Sequence, residues 1–192
     1  VADLVVADPK SLRRQYGVVV ERTVQELRGI PCAELEQLVQ AKQQIICSRS
    51  FGERITDFVP MREALAGYIE RAAEKLRAEG QRCRHVTLFI RSSPFSERET
   101  YYGNQISTRL QTPTSDTRDL LALIEPLLRR IWRDDVRYMK GGVMLADFTP
   151  ASMHQGDLFA DQQQDPRSEA LMKVIDQIKQ GRLAKVYYAA RG

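Results

Sequence analysis

Between residues 42 and 148 the hydrophobic pattern changes several times between the period of a strand and the period of a helix. It predicts six elements: strands at about 43–50, 83–92, 102–111 and 137–147, and helices at about 60–79 and 116–133. Two apolar helix stripes and one sheet face are buried together when both helices lie on the same side of the sheet. The predicted fold is therefore α+β: a ferredoxin-like β-α-β-β-α-β sandwich of four mostly antiparallel strands with two helices on one face.

The sequence predicts a continuous first helix and an interrupted second one. Pro60 opens the first, because proline is favoured in the first turn. Six apolar residues of this helix share one side: Met61, Leu65, Tyr68, Ile69, Ala72 and Leu76. The second helix contains Pro126, which removes one backbone hydrogen bond and is expected to bend or split it.

The strands alternate apolar and polar residues, so one sheet face is expected to carry polar side chains. Six residues are placed there: Ser48, Thr87, Arg91, Gln105, Arg109 and Lys140. The first strand is expected to end at Ser48–Ser50, with Gly52 in the following turn. Hydroxyl groups and forked guanidinium groups at a strand end suit an anionic ligand. Taken alone, the pattern fits ordinary solvated charges at least as well, and Phe89 fits packing or edge cover better than base stacking.

Charge and cysteine content leave several classes of function open and exclude others. A net charge of +4 permits nucleic acid as a partner without requiring it. No apolar run approaches the ~20 residues of a membrane span, and no secretory signal is visible. Three distant cysteines predict reduced thiols in a cytoplasm, without disulfide or zinc. Asp134 and Asp135 are explained by a turn, so no metal site is predicted.

The N-terminal residues lack a core of their own. Asp8 and Pro9 open one predicted short helix, and a second begins near Val20, with Gly17 between them and Gly29 at the end. The chain from 30 to 41 has mixed charge and is interpreted as a tether.

The C-terminal residues change in composition. From 149 to 166 the chain is polar and lacks Lys and Arg, which predicts a flexible linker. An apolar island at 155–159 interrupts it. An amphipathic helix is predicted at 168–179, with Leu171, Val174, Ile175 and Ile178 as its apolar residues.

Four separate motifs resemble those of a known family. They are Cys-Ser-Arg-Ser-Phe-Gly-Glu-Arg at 47–54, Tyr-Tyr-Gly-Asn at 101–104, Thr-Pro-Thr at 112–114 and Gly-Gly-Val-Met-Leu at 141–145. They are similar to the UmuC family, the catalytic subunits of bacterial DNA polymerase V among the Y-family translesion polymerases. The resemblance implies that 1–29 ends a thumb domain, 42–148 is the little finger domain, and 167–192 begins a C-terminal tail.

The resemblance also implies a function, in DNA repair and SOS mutagenesis after DNA damage. The little finger grips the backbones of primer-template DNA, while two-metal phosphoryl transfer belongs to the palm. No palm motif occurs in this sequence, so the chain is expected to be a fragment without catalytic residues, with Mg²⁺ held elsewhere. The resemblance favours phosphate contact by eight residues: Ser48, Arg49, Ser50, Arg91, Ser92, Gln105, Arg109 and Lys140.

The island in the linker resembles the motif by which bacterial polymerases bind the β sliding clamp. Leu158 and Phe159 would enter a hydrophobic pocket, and Gln155 and Asp157 would flank them. Gly156 departs from the family pattern and is expected to lower the affinity. The family further implies a processed UmuD dimer and a RecA filament as partners. Two other functions remain open: an RNA-binding module on the same plan, and a regulatory interaction domain.

Overall fold

The computed structural model describes residues 1–32, 42–96, 99–152, 166–181, 186 and 188. The contacts divide the chain into two compact units, Val1–Ala41 and Lys42–Gly192. None of the described helices is long and apolar enough to cross a membrane.

Three short helices make up the described part of the first unit: α1 (Ala2–Val6), α2 (Pro9–Tyr16) and α3 (Val18–Leu27). The carboxylate of Asp8 caps α2 by accepting hydrogen bonds from the backbone N–H groups of Lys10 and Ser11, at 3.3 and 3.1 Å. The predicted helix start at Asp8 and the break at Gly17 are confirmed, while α1 was not predicted.

The second unit has the predicted order of elements. They are β1 (Gln44–Ile55), α4 (Phe58–Ala78), β2 (Gln81–Ser92), β3 (Gly103–Thr114), α5 (Thr117–Ala122), α6 (Ile124–Ile131), β4 (Tyr138–Pro150) and α7 (Pro166–Gln180). The four strands form one sheet in the order β1-β4-β2-β3, with every neighbouring pair antiparallel. The predicted α+β fold class is confirmed.

The core lies between the sheet and the helices that follow β1 and β3. Leu88, Ile90 and Val143 point from the sheet into this layer, and each is fully buried. From α4, Met61, Leu65 and Ile69 complete it. All helix packing from α4 to α6 uses one face of the sheet, which leaves the other face free to carry polar groups.

Pro126 splits the second predicted helix, as its sequence position indicated. Proline has no N–H to donate to the carbonyl of Ala122, which is the last residue of α5. Leu123 lies between the two pieces, and α6 begins at the next residue. Both pieces still bury their apolar side against the core.

The end of β1 differs from the prediction. The strand continues through Gly52 to Ile55, and its pairing with β4 shifts between Ser50 and Ile55. A bulge of this kind adds residues to one strand and bends it without ending the pairing. The expected turn at Gly52 is therefore wrong, and the polar residues around Ser50 lie on the sheet itself.

The tail helix α7 packs against the domain through Met172, which was not among the four predicted apolar residues, and of those four only Ile175 and Ile178 are partly buried. Met172 is 2% exposed, whereas Leu171 and Val174 remain 42% and 50% exposed. Polar contacts fix this rotation. Arg77 of α4 binds both carboxylate oxygens of Asp176, at 2.6 and 2.7 Å, and Lys179 pairs with the buried Glu70 at 3.3 Å.

A further contact of α7 involves the N-cap of α5. The hydroxyl of Ser168 donates to the carboxylate of Asp116. Burial alone would raise the pKa of Asp116, but the hydrogen bonds from Arg118 and Ser168 outweigh it and hold the pKa below its ordinary value. The described part of the predicted flexible tail is thus docked on the second unit.

Candidate nucleic-acid interface

The strand register defines four cross-strand rows on the sheet face opposite the helices, here called the front face. Each row takes one residue from β1, β4, β2 and β3 in that order: Gln44, Ala146, His85 and Arg109; Ile46, Met144, Thr87 and Ser107; Ser48, Gly142, Phe89 and Gln105; Ser50, Lys140, Arg91 and Gly103. Directly paired residues point to the same side of a sheet. The front-face residues of the two edge strands are exposed, so this face is open to solvent.

Most of the predicted contact residues lie on the front face. Six of the eight are there: Ser48, Ser50, Arg91, Gln105, Arg109 and Lys140. None of the sixteen positions in the four rows is acidic. The expectation that Arg91, Arg109 and Lys140 share one face is confirmed, and their contact with nucleic acid remains a prediction.

Arg49 and Ser92 do not lie on the front face. Arg49 pairs with Gly141 in a row on the helix side, where its charge opposes the rise that burial causes in the pKa of Tyr68. Ser92 is 4% exposed, because it follows Arg91 directly and so points to the opposite, helix side of the sheet. Its hydroxyl accepts a hydrogen bond from the N–H of Tyr102 at 2.8 Å. Ser92 therefore holds the start of β3 in place.

Two of the three cations lie together at one end of the front face. Arg91 and Lys140 are direct neighbours across β2 and β4. Arg109, on β3, pairs with His85, which lies six residues from Arg91 along β2, or about 20 Å at the usual strand rise. It forms an exposed ion pair with Asp147, with 3.5 Å between Nη2 and Oδ2. Such a surface pair contributes little, so Arg109 can exchange the carboxylate for another anion.

One predicted feature cannot be placed on this interface. The clamp-docking residues Gln155, Asp157, Leu158 and Phe159 lie outside the described residues. Among the residues that the structure describes, no group of three or more His, Cys, Asp or Glu is arranged to hold a metal ion.

The model of the impB/mucB/samB family C-terminal domain matches residues 42–158, which include the whole four-stranded sheet.

The chain belongs to the impB/mucB/samB family.

Curated relatives agree with this family assignment. SamB of Salmonella typhimurium is 50% identical over 186 residues, which are 97% of this chain and 44% of SamB. UmuC of Salmonella typhimurium strain LT2 is 49% identical over 183 residues, or 94% and 43% of the two chains. DNA polymerase IV of Clostridium acetobutylicum is 28% identical over 126 residues, or 65% and 30%. The chain thus spans less than half the length of these relatives.

Two aromatic rings on the front face of this impB/mucB/samB domain were not recognised as site residues from the sequence. A methyl group at Gly142 would overlap Phe89 Cζ and Ser48 Cβ, so the Phe89 ring lies directly over that glycine. A methyl group at Gly103 would come within 2.9 Å of Tyr101 Cζ. Phe89 alternates in phase with Thr87 and Arg91, and this phase was the available signal for its position. Nothing in the strand pattern indicates Tyr101, which precedes β3.

Replacing Gly142 by alanine is expected to lower the free energy of unfolding by about 1–3 kcal/mol, the usual cost of overpacking. The new methyl group meets Phe89 on one side and the backbone-proximal Cβ of Ser48 on the other. To accommodate the methyl group, β1 would have to move away from β4 and the Phe89 ring would have to move off residue 142. Urea unfolding of the variant and of Gly52→Ala measures the difference. Since no atom lies within 4 Å of a methyl group at Gly52, that control should change little, and equal losses would contradict the packing argument.

Proposed function

We propose that this domain holds the sugar-phosphate backbone of primer–template DNA as the little finger of a translesion polymerase. The observation that carries the proposal is a solvent-open sheet face with three cations and no acidic residue in its four rows. Membership of the family and the relative named DNA polymerase IV support it.

The side chains of the front face suit phosphate oxygens better than base edges. Arg91 and Lys140 are cationic donors, and Ser48 and Ser50 add hydroxyl donors on the neighbouring edge strand. Contacts of this kind position a protein on DNA and carry no sequence information. Binding is therefore independent of sequence, as a polymerase that follows a moving primer end requires.

No catalytic step is assigned to this chain. In the family resemblance, phosphoryl transfer and its Mg²⁺ belong to the palm, and the role of the front face is to position the substrate. The residues described here bind and orient the duplex, while the reacting atoms lie on another domain.

The salt dependence of duplex binding tests this proposal. If Arg91, Arg109 and Lys140 each neutralise one phosphate, the logarithm of the affinity falls with a slope of about −2.7 against the logarithm of salt concentration. This slope corresponds to a loss of about fortyfold between 50 and 200 mM salt. Fluorescence anisotropy with two duplexes of unrelated sequence measures it. Equal affinity at both salt concentrations, or a strong preference for one sequence, would contradict the proposal.

An RNA-binding module is the second candidate, because Phe89 lies on the front face of the central strand β2. RNA-binding modules of this layout stack bases on aromatic residues of their central strands. Here the eight front-face positions of β2 and β4 include only one phenylalanine, tyrosine or tryptophan. Competition between duplex DNA and single-stranded RNA separates the two functions. A purely regulatory domain would bind neither in a salt-dependent way.

We further propose that the linker binds the β sliding clamp through Leu158 and Phe159. The linker runs between β4 and α7, and both of these elements belong to the second unit. Short peptides bind their partners through apolar anchor residues, and an apolar pair in an otherwise polar linker suits that role. A processed UmuD dimer and a RecA filament remain expectations from the family.

Replacing Leu158 and Phe159 together by alanine is expected to weaken clamp binding about tenfold or more, since each side chain fills part of a hydrophobic pocket. Gly156 lowers the starting affinity, which limits the measurable loss. Surface plasmon resonance on immobilised clamp measures the change, and duplex affinity is the internal control. A variant that keeps its clamp affinity would contradict the docking assignment.

A further inference from the structure

The end of the front face that holds Arg91 and Lys140 combines the two cations with the two aromatic rings. Arg91 is paired across the strands with Lys140 on one side and with Gly103 on the other. The Phe89 ring lies over Gly142, and the hydroxyl end of the Tyr101 ring lies over Gly103. The two neighbouring cations therefore have a ring on either side, in one patch here called the ring patch: Phe89, Arg91, Tyr101 and Lys140.

The aromatic rings of the ring patch are accessible. Tyr101 is 51% exposed, and Phe89 is half-buried with one side against the sheet backbone. The Arg91 guanidinium lies over the Phe89 ring, with its carbon 5.5 Å from the ring centre, so a base that stacks on this ring takes the place of a cation–π contact. A fully buried ring would be part of the core, whereas these two keep a surface that another flat group can cover.

The ring patch depends on the two glycines beneath the rings, which have no Cβ to keep the rings away. Without a Cβ at 142 and 103, the tip of the Phe89 ring and the hydroxyl end of Tyr101 can approach the sheet backbone closely. From the strand spacing and rise, the two glycines are about 12 Å apart along the sheet diagonal. Arg91 lies between them in the register.

We infer that the ring patch binds unpaired bases of a DNA strand by stacking, at the point where that strand leaves the duplex. Bases stack on Phe89 and Tyr101, while Arg91 and Lys140 hold the backbone at the junction of duplex and single strand. This inference deepens the proposed function and depends on it, because the strand reaches the patch as the single-stranded template next to a bound duplex.

Charge and geometry both favour a single strand as the occupant. Single-stranded nucleic acid is typically bound by aromatic side chains interleaved with cations, since every base has a face that can stack. A duplex keeps its base faces covered and offers only phosphates. Among the described residues of the adjoining loop, the carboxylate of Glu99 is already engaged by Arg54 and Arg137, at 2.6 and 3.2 Å, and so repels a phosphate less.

The test compares three DNA ligands on the full chain: a blunt duplex, the same duplex with a six-nucleotide 5′ overhang on the template, and that duplex with an abasic overhang. The abasic overhang keeps the phosphates and removes the stacking faces. We expect the base-bearing overhang to bind about tenfold more tightly than the abasic one, because stacking is the only interaction that separates them.

The matched variant is Phe89→Leu with Tyr101→Leu, which keeps apolar cover over both glycines. This variant should bind the base-bearing overhang no more tightly than the abasic one. Its affinity for the blunt duplex and for the abasic overhang should equal that of the unchanged protein. Unchanged blunt-duplex affinity also shows that the variant is folded. The inference is overturned if bases give the unchanged protein no advantage, or if the variant keeps it.

Failure of the proposed function would give a different result. The blunt duplex would then bind without salt dependence or not bind at all, whatever the affinity for the duplexes with overhangs. An advantage of bases that persists without duplex binding would support stacking and remove the duplex grip.

Discussion

Replacing Arg91 and Lys140 together by alanine is expected to weaken the binding of primer–template DNA about a hundredfold. A hydrogen bond to a charged group contributes about 1.5–3 kcal/mol, and the two residues lie side by side on β2 and β4, where one backbone segment can meet both. The loss should be similar for unrelated sequences. The slope of affinity against salt should also become shallower by about 2.

The matched control removes two charges from the opposite side of the sheet. Arg71 and Arg130 are exposed on α4 and α6, in the helix layer. Their replacement by alanine changes the net charge by the same amount, so any general electrostatic effect is common to both variants. Anisotropy titrations and thermal melting on both variants measure affinity and folding. If the two double variants lose the same affinity, the front face has no special role.

Replacing Asp176 by alanine is expected to shift the docking of α7 about a hundredfold towards the released state. Breaking a buried ion pair by removing one partner costs about 3–5 kcal/mol, because the other charge stays behind. The side chains of Arg77 and Asp176 are 14% and 15% exposed, and two hydrogen bonds join them. Arg77 keeps the Ser115 carbonyl and the Thr117 hydroxyl as partners, at 2.7 and 2.9 Å, so α4 itself should remain in place.

Hydrogen exchange resolves this effect by element. Amides of α7 should exchange about a hundredfold faster in the Asp176→Ala protein, while those of β2 and β4 should not change. Lys173→Ala removes an exposed charge from the same helix and serves as the control. Unchanged exchange in α7 would mean that Met172 and the remaining polar contacts hold the helix without the ion pair.

The sequence predicted which residues share the front face, because strand alternation carries direct information about sheet faces. Arg91 and Arg109 lie in phase with Thr87 and Ser107 along their strands, and the register places them together as expected. Ser92 follows Arg91 directly, and Arg49 lies between Ser48 and Ser50, so the same alternation places both on the opposite face. The family resemblance, and not the strand phase, had put these two residues among the predicted contacts.

The chain's own sequence determined the element order, the split at Pro126 and the two-sided character of the sheet, because these depend on local periodicity and on a missing N–H. Only the tertiary structure decided the strand order, the rings over Gly142 and Gly103, and the side of α7 that is buried. The Phe89 ring over Gly142 and the ion pair of Asp176 with an arginine 99 residues before it each join partners far apart in the chain, whereas Tyr101 and Gly103 are only two residues apart. Periodicity describes what one element can bury, and the choice among possible partners is made by the packing of the whole domain.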